Sequence, residues 1–165
     1  MRRSAALLAV LALACARERP FPFEQRNLGV SATFPGEPLQ ALYPEDTPFG
    51  RMQWTTFAYA PGGRMDLGFH LDVGNLPPGD QGGDTVPAAL ATYERFLASR
   101  LGPLVRTDLP PQRGPGFQYV AGSRRGVHVE GVVILKRGRL HHAQATTARA
   151  DDPRLRAFLD SFTVA

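Results

Sequence analysis

The 165-residue sequence predicts an α+β fold: a single antiparallel sheet of six or seven strands built from hairpins, flanked by two amphipathic helices. Three observations predict it. Apolar residues alternate with polar ones at period two through much of the chain. The period lengthens to three and four residues in two segments, 85–101 and 153–162. The connections between strand-like segments are too short for parallel crossovers, except across the first helix. No repeat or change of composition divides the chain, so residues 27–165 read as one domain.

The elements follow in order. In 28–34, Val30, Ala32 and Phe34 share one strand face, and Pro35-Gly36-Glu37-Pro38 ends the strand. Residues 39–50 carry three further breakers and read as loop. Residues 51–60 form a second strand. Residues 64–73 form the clearest, with Met65, Leu67, Phe69, Leu71 and Val73 alternating with Asp66, Gly68, His70 and Asp72. That pattern predicts one buried and one wet face, and Pro61-Gly62-Gly63 supplies the turn between the two strands. After a Gly/Pro-rich connection over 74–83, Val86, Leu90, Tyr93, Leu97 and Leu101 make one helical stripe. Asp84 or Thr85 stands as its N-cap and Gly102 just past its end. Short strands at 104–109 and 117–121 flank Pro110-Pro111. Residues 126–135 and 139–147 then form a long hairpin about Lys136-Arg137-Gly138. The last helix has Asp151 or Asp152 as cap, Pro153 at its start, and Leu155, Phe158, Leu159 and Phe162 facing inward.

Composition narrows the setting. Cys15 is the one cysteine, so no internal disulfide is available and packing must hold the domain together. The formal charge of +4 includes Arg2 and Arg3, which fall in the leader, and all basic residues but Lys136 are arginine. So small an excess on an exported chain does not point to nucleic acid. Arg2 and Arg3 followed by an apolar run to Ala14 form the n- and h-regions of a signal peptide, residues 1–14. Ten apolar residues fall short of the roughly twenty that a spanning helix needs. Residues 15–26 are polar and proline-bearing, a tether in which Phe21 and Phe23 are expected to pack back onto the domain.

Several constellations suggest chemistry. His141 and His142 adjoin on one strand and so point to opposite faces, which prevents a shared metal. A two-residue Arg137-Gly138 turn pairs Ile134 with His141 and Val133 with His142. His141 then joins Val132, Ile134, Ala143 and Ala145, and His142 joins Val133, Leu140 and Gln144. His128 and Glu130 share a face without a visible third ligand. Asp66, His70 and Asp72, with Asp80 or Asp84, could form a weak cation site, against the simpler reading of a solvated sheet face. Arg124-Arg125 and Lys136-Arg137-Arg139 are two charged hairpin tips at opposite ends of one strand. No nucleophile elbow, phosphate loop, zinc motif or dinucleotide fingerprint occurs, so no catalytic, cofactor-binding or metal-binding residue is assigned.

Leu11-Ala12-Leu13-Ala14-Cys15 resembles a bacterial lipobox, with Cys15 as the lipidated first residue of the mature chain. Ordinary secretion, with cleavage after Ala14 or Ala16, is the alternative. The remainder is similar to PsbP-like envelope lipoproteins in Val30-Ser31-Ala32-Thr33-Phe34-Pro35, the central hairpins and Arg156-Ala157-Phe158-Leu159-Asp160-Ser161-Phe162. It departs from them at Gly36 and Glu37, where an aromatic residue is usual. The resemblance implies a sheet sandwiched by helices and a non-catalytic binding or assembly role. The expected protein is therefore exported and held to the bilayer through acylated Cys15, on the periplasmic or cell-surface side. It presents a domain that binds another envelope component. The alternatives are a small-ligand binder with a pocket lined by Trp54, Tyr59 and Tyr119, or a hydrolase with polar groups converging in a cleft.

Overall fold

The computed structural model describes residues 19–63, 67–80, 85–121 and 126–165. The signal peptide and Cys15 lie outside them. Among the described residues, ten strands and two α-helices follow in the order β1 (Phe21–Gln25), β2 (Val30–Phe34), β3 (Leu39–Thr47), β4 (Gly50–Tyr59), β5 (Gly68–Asn75), α1 (Thr85–Leu101), β6 (Leu104–Asp108), β7 (Gly116–Ala121), β8 (His128–Lys136), β9 (Arg139–Thr147), α2 (Pro153–Ser161) and β10 (Thr163–Val164). The main sheet has seven strands in the order β3-β4-β5-β9-β8-β7-β6, and β1-β2-β10 form a second, small sheet. All ladders are antiparallel. The fold class expected from sequence is the one observed, with the small sheet as an addition.

Two cores lie on opposite faces of the main sheet. On one face α2 and the small sheet bury Phe34, Leu155, Phe158 and Phe162 against Phe57, Phe69, Leu71, Ile134 and Ala143. On the other face α1 buries Leu90, Tyr93 and Leu97 against Trp54, Phe117, Tyr119, Val133 and Leu140. Strand alternation divides the side chains between these layers, which makes the sheet apolar on both sides. Burial of this kind contributes roughly 25 cal/mol per Å² of apolar surface removed from water. The helix termini follow the sequence signals. Asp152 caps α2 by accepting the Arg154 N–H at 2.9 Å, and the Gly102 N–H closes α1 on the Ala98 carbonyl.

Two stretches differ from expectation. Residues 39–47, read as loop, form the edge strand β3, paired with β4 from Leu39↔Ala58 to Thr47↔Gly50. Most of its side chains are exposed on both faces, so no hydrophobic period marks it, and Pro44 is tolerated because an edge strand has a free side. The end of the tether folds too, with Phe21–Gln25 forming β1 against β2. Phe21 and Phe23 pack on the core as expected, Phe23 lying edge-on to Phe34 at 5.5 Å. The small sheet gathers both ends of the described chain, since β10 pairs with β2 and the Ala165 N–H bonds the Gly29 carbonyl. Among the described residues no helix is long and apolar enough to cross a membrane.

Candidate functional site

Register brings polar side chains from three neighbouring strands under α1. Thr56, Asp72 and His142 are cross-strand partners in one row, and Ala58, His70 and Gln144 in the next. These six side chains floor an open cleft of about 470 Å³, within the usual range for small-molecule sites. Tyr93, Phe96, Leu97 and Arg100 descend from α1, Tyr43 and Glu45 flank it from β3, and Trp54 closes one wall. The polar face of β5 is thus not the solvated face that alternation implied. A helix covers it, and the polar residues line the cleft half-buried.

The floor is held by directed hydrogen bonds. The Tyr119 hydroxyl donates to Gln144 Oε1 at 3.0 Å, which leaves its oxygen to accept from His142 Nε2 at 2.8 Å. His142 therefore carries its proton on Nε2, and Nδ1 accepts from the Tyr93 hydroxyl at 3.2 Å. Complete burial, reinforced by neighbouring His70, pushes the His142 pKa down to about 3, so the ring is neutral at physiological pH. Burial raises the phenol pKa values of Tyr93 and Tyr119, and the Asp72 charge adds to it. Both remain neutral donors. Gly131 makes room for this chain: a Cβ there would lie 2.5 Å from the Tyr119 hydroxyl.

Asp72 has a different environment. Its Oδ1 accepts a 2.5 Å hydrogen bond from Thr56 Oγ1. Burial nevertheless raises its pKa to about 6, against the smaller lowering effect of Thr56. Arg100, the cation on the cleft wall, pairs instead with Glu45 and lies 5.3 Å over the Phe96 ring. The Trp54 indole N–H is buried without an acceptor. Polar groups do converge here, as a hydrolase would require, but both nitrogens of His142 are engaged by phenols and Thr56 donates to a carboxylate. The hydroxyls that meet imidazole, Tyr93 and Tyr119 on His142, are phenols that burial keeps protonated, and no serine or threonine hydroxyl pairs with a histidine among these residues. The arrangement suits holding a ligand.

Other predicted positions fall elsewhere. His141 and His142 do face opposite sides, paired with Ile134 and Val133 as the turn required. His141 is buried on the α2 side with its Nδ1 unpartnered. His128 Nε2 lies 2.8 Å from Glu130, which Arg156 of α2 also reaches at 3.1 Å, an ion cluster under that helix. Among the described residues no three His, Cys, Asp or Glu side chains gather as metal ligands would. Asp66, Asp84, Arg124 and Arg125 lie outside the described residues, and Asp80 sits on a turn away from the cleft lining. At the other tip Lys136 bonds the Val164 carbonyl and Arg139 bonds Asn75. Of the three aromatics expected around a pocket, Trp54 lines it. Tyr119 supports it from below through His142, and Tyr59 packs against the opposite core. Sequence reasoning did not place Tyr93, Gln144 and Thr56 in the site. The strand order β4-β5-β9 brings Thr56 to Gln144, and the packing of α1 on the sheet adds Tyr93.

No protein-family model and no curated protein matches the sequence. Among solved structures, the chain is similar to the solution structure of cyanobacterial PsbP (CyanoP) from Synechocystis sp. PCC 6803. The TM-score is 0.53 at 12% identity, covering 92% of this chain and 95% of that one. A seven-stranded antiparallel sheet covered on both faces, with that match over nearly the whole length of the chain, gives this chain a PsbP-like fold.

Proposed function

We propose that the chain is an exported domain, held at a membrane through acylated Cys15, whose cleft between α1 and the sheet binds a small ligand of the cell envelope. The observation that carries this reading is the cleft itself: about 470 Å³, with aromatic walls over a hydrogen-bonded polar floor. The neutral His142 and the two phenols fix that floor before any ligand arrives, which lowers the ordering cost of binding. The lipobox-like segment supports the anchor. At ~0.8 kcal/mol per buried CH₂, two or more acyl chains on one residue suffice for stable attachment.

Mass spectrometry of the mature protein should find Cys15 acylated at the N-terminus, and Cys15→Ser should release the domain from membranes. A mature chain beginning at Ala16 or Arg17, or a free thiol, removes the anchor from the reading. Protein purified from its own membranes should yield a small molecule to native mass spectrometry. Ala58→Phe, which fills the cleft floor, should abolish that signal without loss of folding. Retention of the molecule by Ala58→Phe overturns the cleft as its site.

A second reading, docking to an envelope protein, draws on the outer edge of β3, where Leu39 is 79% and Leu42 66% exposed. Site-specific crosslinking from position 42 in intact cells should then trap one defined protein, and the absence of any adduct removes it.

A further inference from the structure

Asp72 is a carboxylate in a cavity whose described residues supply it with no counter-ion. Its hydrogen-bond donor is the neutral hydroxyl of Thr56, and the cation on the cleft wall, Arg100, is already paired with Glu45. A carboxyl with a pKa near 6 is ionised at neutral pH, so the charge is present and desolvated. Facing it is an arc of aromatic rings. Trp54 and Tyr93 have centroids 6.2 Å apart, and Tyr93 and Phe96 have centroids 5.8 Å apart.

The possible occupants can be ranked by charge. A hard metal ion takes six or more oxygen ligands or completes an octahedron, and this cavity offers Asp72 alone, since its other carboxylate, Glu45, is paired with Arg100. An anion would meet like charge. A neutral molecule would leave the carboxylate as unbalanced as before. An organic ammonium ion gains from the carboxylate, and its alkyl groups meet the aromatic edges that line the cleft.

We infer that the cleft selects a small organic ammonium ion, with Asp72 as its counter-ion and the edges of Trp54, Tyr93 and Phe96 around it. This rests on the cleft being a ligand site, as proposed above.

Trp54 is the single tryptophan of the chain, so its fluorescence reports the cleft directly. The purified chain is titrated with choline, with ethanolamine, with 3,3-dimethylbutan-1-ol (the uncharged counterpart of choline) and with propionate. The ammonium probes should shift Trp54 emission saturably, with at least about tenfold tighter binding than the neutral alcohol. Propionate should not bind. Asp72→Asn, with an unlowered Tm as proof of folding, should erase the preference for charge. Equal binding of the alcohol and choline, or undiminished ammonium binding by Asp72→Asn, overturns the inference while leaving the cleft a ligand site. If no probe of any charge perturbs Trp54, and neither does a broad metabolite library, both readings fall.

Discussion

At the scale of single residues, the cleft sets two buried titrations against each other. Asp72 has a folded pKa of about 6, above its ordinary 3.8. Its contribution is therefore full below the unfolded value and is lost as pH rises through about 6. His142 has a folded pKa of about 3, below its ordinary 6.5. Its contribution is full above pH 6.5 and is lost as pH falls toward 3, and His70, also lowered by burial, acts in the same sense. Tyr43, Tyr93 and Glu45 are the other titratable groups lining the cleft with them, and Arg100 is its cation. Between pH 4 and 6 the opposing slopes should flatten the stability profile. Asp72→Asn removes one of them, so its Tm should climb steadily from pH 4 to 6.5. At pH 7.5 the variant should be more stable than wild type by on the order of 1–2 kcal/mol, discounted for partial solvent access. Thermal denaturation across pH checks both, and a variant less stable than wild type at pH 7.5 contradicts the account. Period two alone placed His70 with Asp72, and separated His142 from His141. That β9 would lie beside β5 depends on tertiary pairing between distant parts of the chain, so the site as a whole was not legible locally.

At the scale of elements, turn chemistry and caps were the most legible features. Asp152, Gly102 and the Arg137-Gly138 turn all stand where their side chains or lack of one require. The turn also carries strain that the sequence does not advertise: Arg137 has φ 53° and Gly138 φ 71°. Two positive φ values define the mirror-image turn that matches strand twist, and an arginine fits it poorly. Arg137 is exposed, and replacing it by Asn or Gly should stabilise the β8–β9 hairpin by about 1 kcal/mol. Denaturant unfolding would show this as a higher midpoint with an unchanged slope, and a lower midpoint would contradict it. Strand β3 was illegible for the opposite reason. Lying at an edge with both faces largely wet, it needs no apolar alternation, and Pro44 there looks like a terminator when read alone.

At the scale of the molecule, the boundary between tether and body is set by packing instead of polarity. Glu24, Gln25 and the prolines gave residues 15–26 the composition of a linker. The two phenylalanines among them nevertheless anchor β1 to the core. A chain beginning at Arg19 should therefore melt like the mature protein, whereas one beginning at Asn27 should lose about 2 kcal/mol or more with Phe21 and Phe23. Calorimetry of the two truncations decides this, and equal melting would return β1 to the tether. The same small sheet determines how the domain would be carried. It lies with α2 on one side of the seven-stranded sheet, and the cleft opens under α1 on the other. A body suspended from Phe21 hangs by its back. With the proposed anchor at Cys15, the cleft would lie on the side of the sheet opposite β1, and a tag fused at Ala165, beside Gly29, would sit on the β1 side and leave the mouth clear.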